Sequence, residues 1–486
     1  MTMSTSKPSI ADSIFQDEEQ DTFRDHIGTV DSAGKRVWIY PKKPEGSFTR
    51  WRDIVSYILL IALFTMPFIR IDGEPLFLLN ILERRFILFG QLFTPQDFHL
   101  FVFAMITMIV FIILFTVVFG RIFCGWICPQ TIFMENVFRK IEYWIEGDGN
   151  AQRRLAAAPW TSQKIWKKGL KYVIFFAISW LIANTFLSYI IGSDQVIQII
   201  TEPIQSHLGG FIAMLIFSGV FYFVFAYMRE QVCLVVCPYG RLQGVLLDRD
   251  SIVVAYDFVR GEPRTKIKKA KLAEAAQDSE ARIGDCIDCN LCVQVCPTGI
   301  DIRNGTQLEC INCTACIDAC DAVMEKVDRP LGLIRYDSYN AIAEGKKRRF
   351  TPRMAAYSIV LLLLIGLEVF LLNYRVSIET LILRTPGMLY QKVDEDHLSN
   401  LYNYEVVNKT NKAYDRIHFQ LVDQEGEIKL IGQEPSLGKG GQASGSFFII
   451  LEKEDLQGQK NPIFVEVYAD GKLIEKVKTN FTGPIK

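Results

Sequence analysis

The apolar residues of this chain form long unbroken runs over most of its length and short alternating runs towards its end. Five of the runs, each of roughly 16 to 20 residues, are long enough to cross a bilayer, whose hydrocarbon core takes about 20 apolar helical residues. The pattern therefore predicts five transmembrane helices at about 54–69, 100–119, 172–191, 209–228 and 355–372.

The segment between the first two predicted spans breaks this pattern. Its apolar runs Phe77–Leu82 and Phe86–Phe93 are separated by the charged residues 83–85. The segment is too short and too charged to cross a bilayer. We expect it to form an interfacial or re-entrant helix on the outer side of the membrane.

From about residue 376 the chain alternates polar and apolar residues in short runs, as in Ile417–Leu421 and Phe464–Tyr468. Alternation with a period of two is typical of half-buried β-strands. The dipeptide Asp470-Gly471 is a hairpin signal between the last two strands. About seven strands over roughly 100 residues predict an immunoglobulin-like sandwich. Its composition offers no catalytic set, so we expect a docking or scaffold domain.

The charge distribution indicates how the chain is oriented. The formal net charge is -1, so the overall charge gives no indication of a nucleic-acid partner. Lys and Arg are frequent in 120–171 and in 229–353, including the basic run 346–349, whereas 192–208 contains neither. By the positive-inside rule, the N-terminus and the segment before the fifth span are expected in the cytoplasm, and residues after Asn373 in the periplasm. No signal-peptide core precedes the first span, so we expect an uncleaved N-terminus.

The spacing of the cysteines between residues 286 and 320 is the strongest chemical signal. Eight of the 12 cysteines form two runs of the pattern C-x2-C-x2-C-x3-C. In bacterial ferredoxins, three cysteines of such a run bind one [4Fe-4S] cluster and the fourth binds the other cluster. A structural zinc site needs only two C-x2-C pairs and does not account for this spacing. We predict two clusters, the first bound by Cys286, Cys289, Cys292 and Cys320, the second by Cys310, Cys313, Cys316 and Cys296.

These patterns predict a multi-domain membrane protein with an α-helical transmembrane bundle, a bacterial-type dicluster ferredoxin domain and a C-terminal all-β immunoglobulin-like sandwich. We expect it in the bacterial inner membrane, in contact with lipid. The predicted segments are a cytoplasmic tail at 1–50, a four-span membrane domain at 51–250, the cytoplasmic ferredoxin domain at 251–350, the fifth span at 351–375 and the periplasmic sandwich at 376–486.

The other four cysteines follow the second and fourth spans as two Cys-x3-Cys-Pro motifs, a weak internal repeat: Cys124 with Cys128, and Cys233 with Cys237. At positions i and i+4 both thiols of a pair are expected on one side of a helix, and the four thiols could converge. Three interpretations remain open. The thiols could be small buried apolar groups, a dithiol/disulfide redox pair, or a soft metal site for copper(I) or another metal centre. Their repetition favours the metal site.

The combination of motifs resembles a known family. The order of Cys-Gly-Trp-Ile-Cys-Pro-Gln, Cys-Leu-Val-Val-Cys-Pro-Tyr-Gly-Arg-Leu-Gln, a double ferredoxin motif, a further span and a β-rich tail is similar to that of the FixG/RdxA/CcoG family. Members of this family are accessory proteins for the assembly of cbb-type cytochrome c oxidase. The resemblance extends from about Val37 to Phe481. The membrane cysteine motif is also similar to that of NapH and NosR, which implies a shared electron-transfer core.

The resemblance implies a cupric reductase that supplies copper(I) for the haem–copper centre of the oxidase. Copper would be held near Cys124, Cys128, Cys233 and Cys237 as the catalytic site. An unidentified electron donor and a copper chaperone or oxidase assembly factors would be the partners. Two alternatives stay open: a NapH-like conduit from quinol to a partner protein, and a non-enzymatic assembly scaffold. The spans contain few ionisable residues apart from Glu368, which counts against a quinol site.

Overall fold

A computed structural model describes residues 29–30, 35–71, 73–81, 85–93, 97–267, 283–345, 351–387, 389–410, 412–422 and 424–484. The basic run 346–349 and the charged residues 83 and 84 lie outside this range. The chain divides into two compact units. The first comprises Met1–Thr65, Met105–Leu187 and Ile197–Ile365, and the second comprises Met66–Ala104, Ser188–Val196 and Gly366–Lys486.

Within the described residues, five helices are long and apolar enough to cross a membrane, as the hydrophobic pattern predicts. They are α1 (Ser47–Thr65), α2 (Phe98–Phe119), α7 (Ser162–Ile191), α9 (Leu208–Phe223, continued as a π-helix over Val224–Met228) and α15 (Pro352–Asn373). Two of them start seven or more residues before the apolar runs do. α1 begins 7 residues before Ile54 and α7 begins 10 residues before Tyr172, because polar and basic residues continue each helix beyond the apolar core.

Short helices connect the spans of the first unit. They are α3 (Ile122–Trp126), α4 (Pro129–Thr131, continued as a π-helix over Ile132–Phe138), α5 (Arg139–Glu146), α6 (Gly149–Ala157), α8 (Ser193–Thr201), a π-helix at Val232–Val236, and α10 (Pro238–Leu246). Aromatic rings pack this region: the ring centroid of Phe138 lies 4.7 Å from that of Phe225 and 4.8 Å from that of Phe175. Such ring pairs contribute beyond their buried area.

A buried network of ion pairs lies beside this aromatic core. Arg229 Nη2 lies 2.6 Å from Glu142 Oε2, and Lys171 Nζ lies 2.9 Å from Glu146 Oε1. Arg139 is 2% exposed and is paired with Glu135 at 2.9 Å. Pairing offsets the cost of removing a charge from water, which is several kcal/mol for an isolated ion. The network therefore holds the short helices against α7.

The ferredoxin domain is built around a two-stranded antiparallel sheet, in which β6 (Val253–Tyr256) pairs with β7 (Ile334–Asp337). Its helices are α11 (Phe258–Gly261), α12 (Leu291–Gln294), α13 (Ala315–Lys326) and α14 (Tyr339–Glu344). Leu333, Ile334 and Met324 are buried at its centre together with cysteines of the two C-x2-C-x2-C-x3-C runs. The sheet and α13 thus position the cysteine loops.

The segment after α1 corrects the prediction of an interfacial or re-entrant helix. It forms β-strands: β1 (Arg70–Ile71), β2 (Glu74–Pro75), β3 (Phe77–Asn80), β4 (Arg85–Leu88) and β5 (Gln91–Phe93). Leu78 pairs with Ile87, and Ile87 pairs with Leu92, so the three side chains form a small core. Apolar runs of only a few residues between turn residues satisfy their backbone hydrogen bonds by pairing, whereas a helix needs about ten.

The C-terminal region is the predicted immunoglobulin-like sandwich. Its strands are β8 (Ile378–Arg384), β9 (Gln391–Lys392), β10 (His397–Asn408), β11 (Ile417–Val422), β12 (Gly426–Leu430), β13 (Gln442–Glu452), β14 (Lys460–Ala469) and β15 (Lys472–Thr482). One sheet has the order β12-β13-β10-β8, with β9 paired to β10, and the other has the order β11-β14-β15. The short β9 accounts for the excess over about seven strands. Asp470 and Gly471 have φ of 48° and 80°, as a two-residue hairpin turn requires, which confirms that prediction.

Candidate redox site

The first of two cysteine-lined cavities lies between the β-sheet and α13 of the ferredoxin domain. The space between its atoms is about 340 Å³, part of it open to solvent, and its apolar wall includes Leu333 and Ile334. The cysteines around it are Cys286, Cys289, Cys292 and Cys320. Cys289 is exposed, whereas Cys286, Cys292 and Cys320 are buried. We call this the first cavity.

The second cavity has the same volume, about 340 Å³, and a wall that includes Val254, Ile300 and Ile311. The cysteines around it are Cys296, Cys310, Cys313, Cys316 and, shared with the first cavity, Cys292. Each cavity thus brings together three cysteines of one run and the fourth cysteine of the other run. Because Cys292 lines both cavities, the two are adjacent.

The donor set of each cavity fits an iron–sulfur cluster. All 12 cysteines are free thiols, which are the ligands that iron–sulfur clusters require. Within the described residues, no group of three or more His, Cys, Asp or Glu side chains is close enough to hold a single metal ion. Each cavity has at least four cysteines around one space, an arrangement that fits a cubane of iron and sulfur.

The loop that carries Cys310 and Cys313 packs closely against α3. Cys124 is half-buried and packs against the buried cluster that contains Cys313, Val295 and Ile311. A Cβ atom on Gly125 would lie 2.5 Å from the carbonyl oxygen of Ile311, which no real side chain tolerates. Only glycine allows this approach of the two backbones, so the packing places the Cys124 thiol beside the wall of the second cavity.

The membrane-proximal cysteine pairs do not lie on one side of a continuous helix, and that prediction was wrong. Cys124 is in α3, but Cys128 has ψ of 124° and precedes α4. Cys233 is in the π-helix Val232–Val236, and Cys237 has ψ of 112° and precedes α10. The proline after each second cysteine disfavours helical ψ at that cysteine and starts the next helix. Each motif is therefore a break between two helices.

The four thiols are neighbours, although they do not form a closed site for one ion. Burial, together with the neighbouring thiols of Cys128, Cys124 and Cys237, raises the pKa of the Cys233 thiol to about 12. Burial also raises the pKa of Cys124 to about 11, while its hydrogen bond to Gln243 opposes this increase. The Cys124 sulfur lies 3.4 Å from Gln243 Oε1. Burial therefore favours neutral thiols here.

Several residues around these sites were missed by the sequence analysis. Arg52 donates to the carbonyl oxygen of Cys313 at 2.8 Å, and Arg121 donates to the carbonyl oxygens of Leu308 and Gly240. Arg121 directly precedes α3, but nothing in the sequence shows that it is buried. Arg52 lies 261 positions from Cys313, so no local pattern could have joined them.

Comparison with protein families matches three parts of the chain. A 4Fe-4S dicluster domain matches residues 228–339, and a 4Fe-4S binding domain matches residues 101–147. The immunoglobulin-like fold found at the C-terminus of FixG matches residues 369–484. The first match includes all the cysteines of both cavities. The chain therefore carries iron–sulfur clusters.

Protein RdxB of Cereibacter sphaeroides is 33% identical to the chain over 401 residues, which cover 78% of this chain and 81% of RdxB. The chain belongs to the FixG family. Nitrogen fixation protein FixG of Rhizobium meliloti is 40% identical and protein RdxA of Cereibacter sphaeroides is 36% identical, each over 62% of this chain. These matches span 57% of FixG and 62% of RdxA.

Membership of the FixG family agrees with the five apolar helices and the two cysteine-lined cavities. A crystal structure of a FixG-related protein from Vibrio parahaemolyticus covers 22% of this chain and 98% of its own, with 13% identity and a TM-score of 0.19. With its five spans and its dicluster domain, this FixG-family chain is a membrane iron–sulfur redox protein.

Proposed function

We propose that this protein is a membrane-bound cupric reductase that supplies copper(I) for the haem–copper centre of cbb-type cytochrome c oxidase. The observation that carries the proposal is the packing of the half-buried Cys124 against the apolar cluster that contains Cys313, at the wall of the second cavity. A soft metal ligand thus lies next to a cluster ligand.

In this proposal each cavity binds one [4Fe-4S] cluster. Cys286, Cys289, Cys292 and Cys320 hold the cluster of the first cavity, and Cys296, Cys310, Cys313 and Cys316 hold that of the second. The equal cavity volumes and the grouping of four thiols from both runs support this assignment. Bound clusters would supply storage for one electron each.

The membrane-proximal thiols are proposed to bind the substrate ion. A cluster in the second cavity would supply the one electron that converts copper(II) to copper(I), and each thiol that binds copper as a thiolate releases its proton to solvent. Thiolates are soft ligands and favour copper(I) over copper(II). Cys124, Cys128, Cys233 and Cys237 therefore stabilise the product of the reaction. The four thiols lie near one another, which supports one shared copper site.

The orientation and the partners are also part of the proposal. The N-terminus and the ferredoxin domain are assigned to the cytoplasm, where an electron donor would reach them, and the sandwich to the periplasm. The product copper(I) would pass to a copper chaperone or to assembly factors of the oxidase. The excess of Lys and Arg in 120–171 and 229–353 supports this orientation.

The test is an anaerobic titration of the dithionite-reduced, full-length protein with copper(II). Reoxidation of the clusters and formation of copper(I) are followed together. We expect one copper(I) for each electron lost by the clusters. The Cys124→Ser/Cys233→Ser variant should retain its iron and its visible spectrum but lose copper(I) formation, because each motif loses one soft ligand.

The matched control is Ile127→Ser/Val236→Ser, which introduces a hydroxyl into each motif without removing a thiol. Ile127 and Val236 are 40% and 55% exposed, so the fold should tolerate both changes. This control should reduce copper(II) as the unaltered protein does. If reduced clusters do not react with copper(II), the cupric reductase is excluded. If the thiol variant reacts normally, the site lies elsewhere.

A further inference from the structure

The two cysteine-lined cavities differ in the charges that surround them. Arg52 and Arg121 both approach the second cavity, and they are 5% and 4% exposed. Arg52 donates to the carbonyl oxygen of the cavity ligand Cys313, and Arg121 lies within electrostatic reach of the thiols of Cys124 and Cys310. Two buried cations therefore lie near ligands of this cavity.

Within the described part of the chain, neither arginine forms an ion pair with a carboxylate. The Nε atoms of Arg52 and Arg121 are buried and have no hydrogen-bond partner there. The charge of Glu309 reaches Arg121, but Glu309 forms no ion pair with it. Glu135, whose charge reaches Cys313, is already paired with Arg139 at 2.9 Å. The positive charge at the second cavity is thus largely uncompensated.

The first cavity has one arginine, and that arginine is neutralised. Arg303 lines the cavity and its charge reaches Cys292. Its guanidinium lies 2.7 Å from Asp288 Oδ1 and 2.6 Å from Asp301 Oδ2. Two carboxylates thus face one cation, and the local charge at the first cavity is negative.

Reduction adds one negative charge to an iron–sulfur cluster, so nearby positive charge raises its reduction potential. Burial acts in the opposite direction, and both cavities are lined by buried cysteines. A charge in a low-dielectric interior is poorly screened, so two uncompensated arginines outweigh this effect. Hydrogen bonds to ligand sulfur also raise potentials, and one is present in the second cavity, where the Thr298 hydroxyl lies 3.3 Å from Cys296 Sγ. The buried hydroxyl of Tyr256, which lines the first cavity, has no hydrogen-bond partner within the described residues.

We propose that Arg52 and Arg121 make the second cavity the cluster site of higher potential, so that electrons enter at the first cavity and collect beside Cys124. The direction towards copper rests on the proposed function. A one-electron donor protein, or dithionite in vitro, reduces the first site. One electron then moves to the second site, and no proton or bond changes. Exposure of Cys289 leaves the first cavity accessible to the donor.

The test is a redox titration of the full-length protein with dithionite, followed by electron paramagnetic resonance and without copper. We expect two midpoint potentials. Arg121→Gln should lower the higher potential by at least the equivalent of a tenfold change in the one-electron equilibrium, about 59 mV, and leave the lower potential in place. Arg121→Lys keeps the charge and should restore most of the shift. Arg303→Gln should move only the lower potential.

The Cys289→Ser variant tests the order of potentials without altering either arginine beside the second cavity. Its exposed serine ligand should shift only the lower potential. The proposal is overturned if Cys289→Ser moves the higher potential. It is also overturned if Arg121→Gln moves the lower potential, or if Arg121→Gln leaves both potentials unchanged. Iron content is measured first, and if Arg121→Gln fails to bind iron, the Cys289→Ser titration decides. These titrations contain no copper, so a result that overturns the order of potentials leaves the cupric reductase proposal standing. In the same way, a negative copper assay leaves the order of potentials standing.

Discussion

The thiol sulfur of Cys124 lies 3.4 Å from the side-chain oxygen of Gln243. Gln243 is fully buried in α10, the helix that follows Cys237, so this contact joins the two Cys-x3-Cys-Pro motifs. The amide nitrogen of Gln243 is buried and has no hydrogen-bond partner within the described residues. The amide oxygen accepts from a thiol, and after a 180° flip the amide nitrogen can donate to a thiolate. Gln243 can therefore serve both protonation states of Cys124.

We predict that Gln243→Leu weakens copper(I) binding by about 10- to 100-fold, the usual cost of losing a group that orients a metal ligand. Binding is measured by competition with a chromogenic copper(I) chelator. The matched control is Gln152→Leu. Gln152 is another buried glutamine, located in α6, and its side chain donates to the carbonyl oxygen of Gly147. Equal affinities in the two variants would show that Gln243 has no part in the site.

The glycine at position 125 sets the distance between α3 and the loop carrying Cys310 and Cys313. A Cβ atom there would lie 2.5 Å and 2.7 Å from the carbonyl oxygens of Ile311 and Asn312, and both are backbone atoms. Gly125→Ala should therefore push the Cys124 segment away from the second cavity. We expect slower reoxidation of the clusters by copper(II), with unchanged iron content, in stopped-flow absorbance measurements.

Gly169→Ala is the control for the Gly125 prediction, because a Cβ atom at Gly169 would have no neighbour within 4 Å. This change in α7 should leave the reoxidation rate unaltered and slightly stabilise the helix. If the clusters of Gly125→Ala are reoxidised as fast as those of Gly169→Ala, the close packing at Gly125 is not required for electron transfer.

Asp318 of α13 caps the first membrane helix. Its carboxylate accepts hydrogen bonds from the backbone N–H groups of Phe48 and Thr49 at 3.0 Å and 2.7 Å. Asp318→Ala should destabilise the first turn of α1 by about 0.5 to 2 kcal/mol, as the loss of a helix cap does. Faster hydrogen exchange at Phe48 and Thr49 would demonstrate this. Glu325→Ala, an exposed carboxylate of the same helix, should leave that exchange unchanged.

The cap at Asp318 illustrates what the sequence could not predict. The apolar run placed the start of the first span near Ile54, whereas the helix starts at Ser47. The one residue that satisfies its first N–H groups, Asp318, lies 270 positions from Phe48 and 269 positions from Thr49 along the chain. Local hydrophobicity predicts the part of a helix in the membrane core, because that part depends on transfer to lipid. It contains no information on a cap that another domain supplies.

The hairpin turn and the grouping of the cysteines could be predicted because each depends on residue types at fixed spacings along the chain. Asp470-Gly471 adopts the positive φ angles that its hairpin needs, and the cysteine runs line two cavities in the crossed grouping expected from their spacing. The strands β1–β5 were not predicted, since short apolar runs suit a helix or a strand and only pairing partners decide. Arg52 and Arg121 were missed because burial of a cation is a tertiary property.

The buried carboxylate of Glu142 makes the stability of the first unit dependent on pH. Burial would raise the pKa of Glu142, but Arg229, Lys171 and Arg139 outweigh it and hold the pKa below its ordinary value of 4.5. A carboxyl whose pKa is lowered on folding stabilises the protein above its unfolded pKa, and this stability is lost as pH falls towards the folded pKa. We predict that Glu142→Gln is less stable at neutral pH by about 3 to 5 kcal/mol, because it leaves buried cations unpaired.

The difference in stability between the two proteins should shrink below pH 4.5, where Glu142 of the unaltered protein takes up a proton. Unfolding of both proteins in lipid nanodiscs is followed by tryptophan fluorescence. Both proteins lose their acid-labile clusters as the pH falls, so the comparison between them isolates Glu142. A difference in unfolding free energy that stays constant with pH would contradict the prediction.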